Sequence, residues 1–97
     1  MRHEIILAPE AVEDLRRLKV NVRAVVKDAL REHLRHEPTK VSRSRIKRLR
    51  GLAQPQFRLR VGNIRVFYDV TKEQVEVLAI VAKKDAAAWL TRMGKRK

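Results

Sequence analysis

The sequence lacks cysteine altogether, and it has no long apolar segment. Without cysteine the chain has no disulfide framework, no thiolate nucleophile and no thiolate ligand for zinc. The longest apolar run, residues 77–82, is far shorter than the about 20 residues that a membrane-spanning helix needs. Pro9 and acidic residues interrupt the first ten residues, so no secretory segment is recognisable there. We therefore expect a cytoplasmic protein that does not associate with a membrane.

The chain is 97 residues long, which is the size of one small domain. A domain of this size buries roughly two thirds of the surface that its unfolded chain exposes. This leaves no room for a second domain that binds a cofactor. We expect a single domain at residues 1–97, with no cofactor and no metal site.

Acidic residues are scarce, since 11 Asp plus Glu stand against 24 Lys plus Arg and the formal net charge is +13. The segment from Pro38 to Tyr68 has no acidic residue and contains nine basic ones, Lys40, Arg43, Arg45, Lys47, Arg48, Arg50, Arg58, Arg60 and Arg65. Positive charge segregated in this way favours a polyanionic partner, most commonly nucleic acid. A solvated basic surface is the alternative. A membrane surface ranks third, because no basic helix carries large apolar residues on its opposite side.

The first half of the chain reads as a short strand followed by two helices. Residues 2–7 alternate weakly and end in an apolar run, which is typical of a strand. Apolar residues then recur at helical spacing after Pro9, a residue favoured in the first turn of a helix. Asn21 is a candidate cap for the second helix, whose apolar stripe ends before Pro38. The basic connector 39–55 follows.

A β-hairpin is the clearest local signal in the second half. Residues 57–61 and 64–70 alternate around the two-residue loop Gly62 and Asn63, and this loop length sets the pairing of the strands. Because paired residues share a face, one face is predicted to hold the core residues Phe57, Leu59, Val61, Ile64, Val66 and Tyr68. The other face is predicted to hold Arg58, Arg60, Arg65 and Phe67.

A third strand and a last helix complete the pattern. If Val70 opposes Val75, the core face continues through Val75, Val77, Ala79 and Val81, while Glu76, Leu78, Ile80 and Ala82 join the arginines. Asp85 can cap a short helix that covers this apolar floor, and residues 94–97 look frayed. The predicted fold is α+β: a small antiparallel sheet, formed by the N-terminal strand and a three-strand meander, packs against two N-terminal helices and carries a short C-terminal helix.

Three arginines on one strand face point to phosphate binding. Guanidinium groups this close repel one another, at about 1 kcal/mol for a pair 4 Å apart in water, unless an anion compensates. The planar guanidinium donates two parallel hydrogen bonds to phosphate and stays charged, and it can stabilise charge that develops in a transition state. The alternative is an exposed strand face that long basic side chains keep soluble.

The order of these elements and their residues resembles the RelE/ParE superfamily of bacterial and archaeal toxins. The resemblance is carried by "HEIILAPEAVEDLRRL", "IKRLRGL", "FRLRVGNIRVFYDV" and "VEVLAIVAKKDAAAWL", which together span nearly the whole chain. It implies a toxin that a cognate antitoxin holds in check. The RelE branch cleaves messenger RNA in the ribosomal A site, and the ParE branch targets DNA gyrase.

The resemblance also implies roles for individual residues. The catalytic residues it implies are Arg58, Arg60, Arg65 and Lys84, and the RNA-binding residues are Lys47, Arg48, Arg50, Lys83 and Trp89. In such a nuclease the 2′-hydroxyl attacks the adjacent phosphorus in line without a metal ion, and the arginines stabilise the transition state. Trp89 either stacks on a base or packs in the core, and the sequence leaves both open.

The chain departs from the RelE pattern at one position, because Leu90 stands where RelE has a tyrosine. His3, His33 and His36 are expected away from the arginines, and Tyr68 is expected to face the core, where its hydroxyl would bond to the backbone. We expect a ribosome-dependent mRNA endoribonuclease, with a gyrase inhibitor as the alternative. The expected partners are an acidic antitoxin that wraps the arginine-bearing surface, and the ribosome with its mRNA, or DNA gyrase in the alternative.

Overall fold

A five-stranded mixed sheet with helices on both faces forms the centre of the protein, and the computed structural model describes residues 2–97. The strands are β1 (Glu4–Leu7), β2 (Ile46–Arg48), β3 (Leu52–Gln54), β4 (Phe57–Val61), β5 (Ile64–Val70), β6 (Gln74–Ala82) and β7 (Lys95–Arg96), and the helices are α1 (Pro9–Arg17), α2 (Val20–Leu34) and α3 (Lys83–Met93). The order in the large sheet is β1-β6-β5-β4-β2, and β3 pairs with β7 in a separate ribbon. The α+β class is confirmed.

The β4–β5 hairpin has the predicted register. Phe57 pairs with Tyr68, Arg60 pairs with Arg65, and Val61 pairs with Ile64. The two-residue loop fixes this register, and Gly62 has the positive φ of +57° that such a tight turn requires. β6 continues the antiparallel meander as expected.

β1 differs from the all-antiparallel sheet that we predicted. It pairs with β6 in parallel, with Glu4 opposite Gln74 and Leu7 opposite Val77. No turn links these two strands, since residues 8–73 separate them, and so no hairpin geometry determines their relative direction. β2 adds a further antiparallel strand at the edge beside β4, within the predicted connector 39–55.

A β-bulge changes the faces of β6. The ladder shifts by one residue between Phe67 and Tyr68, so Phe67 pairs with Ala79 and Tyr68 pairs with Val77. A bulge of this kind moves every residue beyond it to the opposite face from the predicted one. The prediction was therefore wrong for four residues: Ile80 and Ala82 lie on the core face, and Ala79 and Val81 lie on the arginine-bearing face.

The larger apolar core lies between the sheet and the helices α1 and α2. Val26, Leu30 and Leu34 of α2 pack there against Leu59 and other buried strand residues. Tyr68 is fully buried in this core, as predicted, and its hydroxyl donates a hydrogen bond of 2.7 Å to the carbonyl oxygen of Pro38. The phenol therefore anchors the segment that follows α2.

The second apolar cluster lies under α3 on the other face of the sheet. Phe67, Ala79 and Trp89 form its buried centre, so α3 covers the apolar floor as predicted. Neither predicted helix cap is present, because α2 begins at Val20 and α3 begins at Lys83, with Asp85 inside the first turn. Within residues 2–97 no helix has the combined length and apolar character needed to cross a bilayer.

Asp14 of α1 is expected to make the stability of the protein depend on pH. Its Oδ2 atom accepts a hydrogen bond of 2.9 Å from the backbone N–H of Ile80, just beyond the bulge. Burial raises the pKa of Asp14, the Ile80 bond opposes this rise, and the charge of Glu10 adds to it. Because the native state holds the proton more tightly than the unfolded chain, the stability contributed by Asp14 is lost as pH rises through its native pKa.

The measurement is urea unfolding of the wild type, Asp14→Asn and Asp14→Ala at about pH 4 and pH 7. Asp14→Asn keeps an acceptor for Ile80 and does not ionise, so its stability relative to the wild type should rise between the two pH values. Asp14→Ala leaves the Ile80 N–H without a partner and should lose about 1–3 kcal/mol. A wild-type-to-Asn difference that stays constant with pH would contradict the assignment.

Candidate functional site

Three arginines of the hairpin share the sheet face that lies opposite α1 and α2. Arg58 and Arg60 are on β4, and Arg65 is on β5 directly opposite Arg60. Directly paired residues point to the same face, and residues two apart on a strand do so as well. We call these three residues the arginine face. Their grouping follows from the alternation of the two strands and from the length of the turn.

Arg65 is the most buried member of the arginine face, with 7% of its surface exposed. Its Nη1 atom donates hydrogen bonds to the carbonyl oxygens of Gly62 (2.9 Å) and Ile64 (3.0 Å). The guanidinium is thus fixed against the hairpin turn, and removing it would leave those carbonyl oxygens without this donor. We therefore expect Arg65→Ala to destabilise the protein.

Arg58 is half-buried and Arg60 is exposed. Burial lowers the pKa of Arg58, and the charges of Arg65 and Arg60 lower it further. Burial also lowers the pKa of Arg65, to which the charge of Arg60 contributes. Burial is the larger cause of both pKa shifts, and the contribution of the neighbouring charges arises because the three cations lie close together. The buried Nε atom of Arg58 has no hydrogen-bond acceptor within residues 2–97.

No carboxylate neutralises the arginine face in the part of the chain that the structure describes. The ion pairs found there join Arg16 with Glu13, Arg31 with Asp28, His33 with Glu32, and Lys40 with Glu37. Asp69 is engaged elsewhere, because it accepts hydrogen bonds from the Gln54 side chain and the Gln56 backbone. The mutual repulsion of the three guanidiniums is consequently not compensated by an internal anion.

The basic residues of β2 divide between the two faces of the sheet. Lys47 pairs with Arg58 and is exposed, so it extends the arginine face. Arg48 pairs with Phe57 and lies on the opposite side, where its guanidinium carbon is 5.2 Å from the centre of the Phe57 ring. The structure thus separates Arg48 from the arginine face, because residues adjacent on a strand point in opposite directions.

Lys83 and Lys84 begin α3 beside the hairpin turn. The backbone N–H of Lys83 donates a hydrogen bond of 2.9 Å to the carbonyl oxygen of Asn63, which holds this end of α3 at the turn. Lys84 lines a groove of about 900 Å³ together with Val22 and Val25 of α2. Lys84 therefore lies beyond the end of β6 beside the hairpin turn, toward α2 and not on the arginine face.

Trp89 is a core residue, so of the two predicted roles the structure shows packing in the core and not stacking on a base. Only 5% of its surface is exposed, and its ring stacks on Phe67 with centroids 4.9 Å apart and planes 4° from parallel. Its Nε1 atom donates a hydrogen bond of 3.4 Å to Glu10 of α1. A buried ring covered by Phe67 has no free face on which a base could stack.

No tyrosine or histidine lies on the arginine face within residues 2–97. Tyr68 faces the other side, where burial raises its pKa and its proton bonds to Pro38. His33 lies on α2 near Glu32, and His3 precedes β1. Across the described residues no three His, Asp or Glu side chains lie close enough to hold a metal ion together.

The chain matches the family model described as "ParE toxin of type II toxin-antitoxin system, parDE" over residues 5–86. It belongs to this toxin family, within the RelE/ParE superfamily. The protein is therefore a toxin of a toxin-antitoxin system, as the resemblance of its motifs implied. A comparison with curated proteins gives no significant match.

Solved toxin structures share the fold at low sequence identity. A double mutant of Escherichia coli RelE in the free state superposes with a TM-score of 0.72 at 21% identity, covering 96% of this chain and 99% of the RelE chain. The Mycobacterium tuberculosis RelBE2 toxin-antitoxin complex gives 0.70 at 24% identity, covering 84% and 99%. The archaeal RelE–RelB complex from Pyrococcus horikoshii gives 0.69 at 21%, covering 86% and 97%.

The toxin also has a second set of basic residues that sequence analysis missed. Residues 94–97, which we expected to be frayed, include the strand β7, and this strand pairs with β3 next to Arg50. The only signal in the sequence is the basic run "GKRK" itself. Its position depends on a contact between two segments that are distant in sequence.

Proposed function

We propose that this toxin is a ribosome-dependent endoribonuclease that cleaves mRNA at the arginine face and thereby inhibits translation. One observation carries the proposal: three guanidiniums share a strand face, and no carboxylate neutralises them among the described residues. An arrangement that costs electrostatic energy in the free protein is stabilised when a phosphate binds. Solubility alone does not explain the grouping, because the same charges spread over the surface would repel one another less.

The three arginines are suited to different parts of the reaction. The 2′-oxygen forms a bond to phosphorus while the bond from phosphorus to the 5′-oxygen breaks, and negative charge grows on the non-bridging oxygens. Arg60 is exposed, and its planar guanidinium can bind two of these oxygens. Arg58 offers the Nε proton that lacks an acceptor, and Arg65 is held in place by the turn carbonyls.

Proton transfer requires groups beyond the arginine face. One proton leaves the attacking 2′-hydroxyl, and one proton is taken up by the departing 5′-oxygen. We propose that Lys84 assists the leaving oxygen from its position beside the hairpin turn, and that ribosomal groups or solvent accept the first proton. This division explains why the nuclease would depend on the ribosome, which also positions the mRNA.

Gyrase inhibition is the second candidate function. It is favoured by the match to the ParE family model and by the lack of a tyrosine or histidine on the arginine face of the described chain. An inhibitor that only binds has no need for a general base. The same positive surface would then contact a protein or the DNA bound to it.

We also propose an acidic antitoxin as the partner that holds the toxin in check. The RelE proteins of Mycobacterium tuberculosis, Methanococcus jannaschii and Pyrococcus horikoshii are each crystallised with their antitoxin. An acidic segment that is disordered when free can wrap a surface of +13 net charge and release its counterions. By covering the arginine face it would block access of RNA.

Mapping of mRNA ends distinguishes the two functions. After brief expression of the toxin, primer extension on an abundant message should show new 5′ ends at codon boundaries within translated regions. In parallel, the purified protein should leave DNA supercoiling by gyrase unchanged. Intact messages together with inhibited supercoiling would overturn the nuclease proposal and support gyrase as the target.

A further inference from the structure

The C-terminal tail is ordered against a distant loop. β7 pairs with β3, with Lys95 opposite Gln54 and Arg96 opposite Leu52, and the backbone N–H of Lys97 donates to the carbonyl oxygen of Gly51 at 3.4 Å. The tail therefore runs along the segment between β2 and β4, which contains β3, instead of extending into solvent.

Gly94 allows the chain to turn from α3 into β7. Its backbone N–H donates a hydrogen bond of 2.8 Å to the carbonyl oxygen of Leu90. A Cβ atom at this position would lie 2.5 Å from the same oxygen, closer than such atoms approach. Glycine thus permits a close approach that directs the three following cations back over the protein.

This arrangement assembles a basic surface, the tail patch, from Arg50, Lys95, Arg96 and Lys97. All four residues are exposed. None of the ion pairs found within residues 2–97 includes any of them. Four cations from two distant segments are thereby concentrated on one side of the molecule without an internal anion.

The tail patch follows α3, which packs on the sheet face that carries the arginines, and it lies beside the start of β4. Leu49 packs in the cluster under α3, and its N–H donates to the carbonyl oxygen of Gln56, which places Arg50 beside the start of β4. Gln56 and Arg58 are two residues apart on an extended chain, or about 7 Å. A polyanion that occupies the arginine face can therefore run on to the tail patch.

Stabilisation of the α3 C-terminus does not account for the patch. Cations near a helix C-terminus interact favourably with its dipole, and Arg92 in the last turn already supplies one. Arg50 is not on α3, and Arg96 lies beyond the helix end, where it pairs with Leu52 of β3. The helix dipole therefore does not explain why the basic tail lies beside Arg50.

We propose that the tail patch binds the sugar-phosphate backbone of RNA outside the cleavage site. The choice of RNA as the polyanion rests on the proposed function. The patch contains no aromatic side chain, so it contacts phosphate groups and does not stack on bases. Its contribution to RNA affinity is therefore independent of base sequence and sensitive to salt. The RNA is either the continuation of the cleaved strand or a ribosomal RNA segment next to it.

Two variants with equal charge change test the proposal. Lys95→Gln/Arg96→Gln/Lys97→Gln removes three charges from the patch, and the control Arg2→Gln/Lys27→Gln/Lys72→Gln removes three exposed charges elsewhere. The affinity of each variant for fluorescent oligoribonucleotides of about 5 and about 15 nucleotides is measured by fluorescence anisotropy at several salt concentrations. The patch variant should bind about tenfold more weakly than the control, with a salt slope lower by about 2.

The arms of the experiment separate the two sources of RNA. A loss seen with the long oligonucleotide and not with the short one supports the continuing strand. A loss seen only in co-sedimentation with purified ribosomes supports ribosomal RNA. Arg50→Gln, which alters the loop and not the tail, should weaken the same interaction in the same direction.

Equal affinity of the patch variant and the control for both oligonucleotides and for ribosomes would overturn the proposal. Failure of the nuclease proposal gives a different result, because the wild type would then cleave no message while its tail-dependent binding to RNA persisted. Circular dichroism of both variants shows whether the fold is retained.

Discussion

Arg60→Ala is expected to abolish growth inhibition while the protein keeps its fold. Arg60 is exposed on β4 and has no ion pair in the described chain, so its loss removes no packing. The guanidinium is the member of the arginine face with freest access to a bound phosphate. Removing one preorganised group that stabilises transition-state charge typically lowers a rate by about 10²–10³-fold.

The measurement combines colony counts after induction with primer extension on a translated message. Arg60→Lys keeps the charge and loses the planar pair of donors, so it should recover only part of the cleavage. Arg2→Ala, at an exposed arginine next to Glu4 and Glu73, removes the same charge away from the site and should remain toxic. A fully toxic Arg60→Ala protein with wild-type cleavage would rule out catalysis at this face.

Trp89→Ala is expected to have the largest effect on stability. The side chain is buried between α3 and the sheet, stacks on Phe67 and bonds to Glu10, so its truncation leaves a large cavity. Changes of this kind cost about 3–5 kcal/mol. Small domains are stable by only about 5–15 kcal/mol, so much of the folding free energy would be lost. Urea unfolding monitored by circular dichroism measures it.

Trp89→Phe separates packing from RNA recognition. Phenylalanine retains an aromatic ring against Phe67 and loses the hydrogen bond to Glu10, so most of the stability and all of the toxicity should remain. If Trp89→Ala were as stable as the wild type and yet inactive, the ring would be available to RNA, contrary to its burial. Thermal unfolding of each variant, read together with toxicity, distinguishes these outcomes.

Local patterns were sufficient to predict the hairpin and the grouping of the arginines. The two-residue loop determines which residues of β4 and β5 are paired, and strict alternation then assigns each side chain to a face. Arg58, Arg60 and Arg65 could therefore be placed together without any knowledge of the tertiary fold. The core position of Tyr68 follows from the same alternation.

Features that depend on distant contacts were missed. The bulge beside Tyr68 reverses the faces of Ala79 and Ile80, and neither residue type reveals it, because both are apolar. The parallel pairing of β1 with β6 could not be predicted, because no short turn connects these two strands. Alternation also does not predict the burial of Arg65 or its hydrogen bonds to the carbonyl oxygens of Gly62 and Ile64.

The sequence by itself determined the α+β class, the hairpin register, the grouping of three guanidiniums and the likeness to a toxin superfamily, because these depend on neighbours along the chain. The tertiary structure alone decided that Trp89 is core, that Arg48 points away from the arginine face, and that the basic tail folds back beside Arg50. The physical reason is that burial and long-range pairing depend on which segments meet in space, and alternation along one segment carries no information about its distant partner.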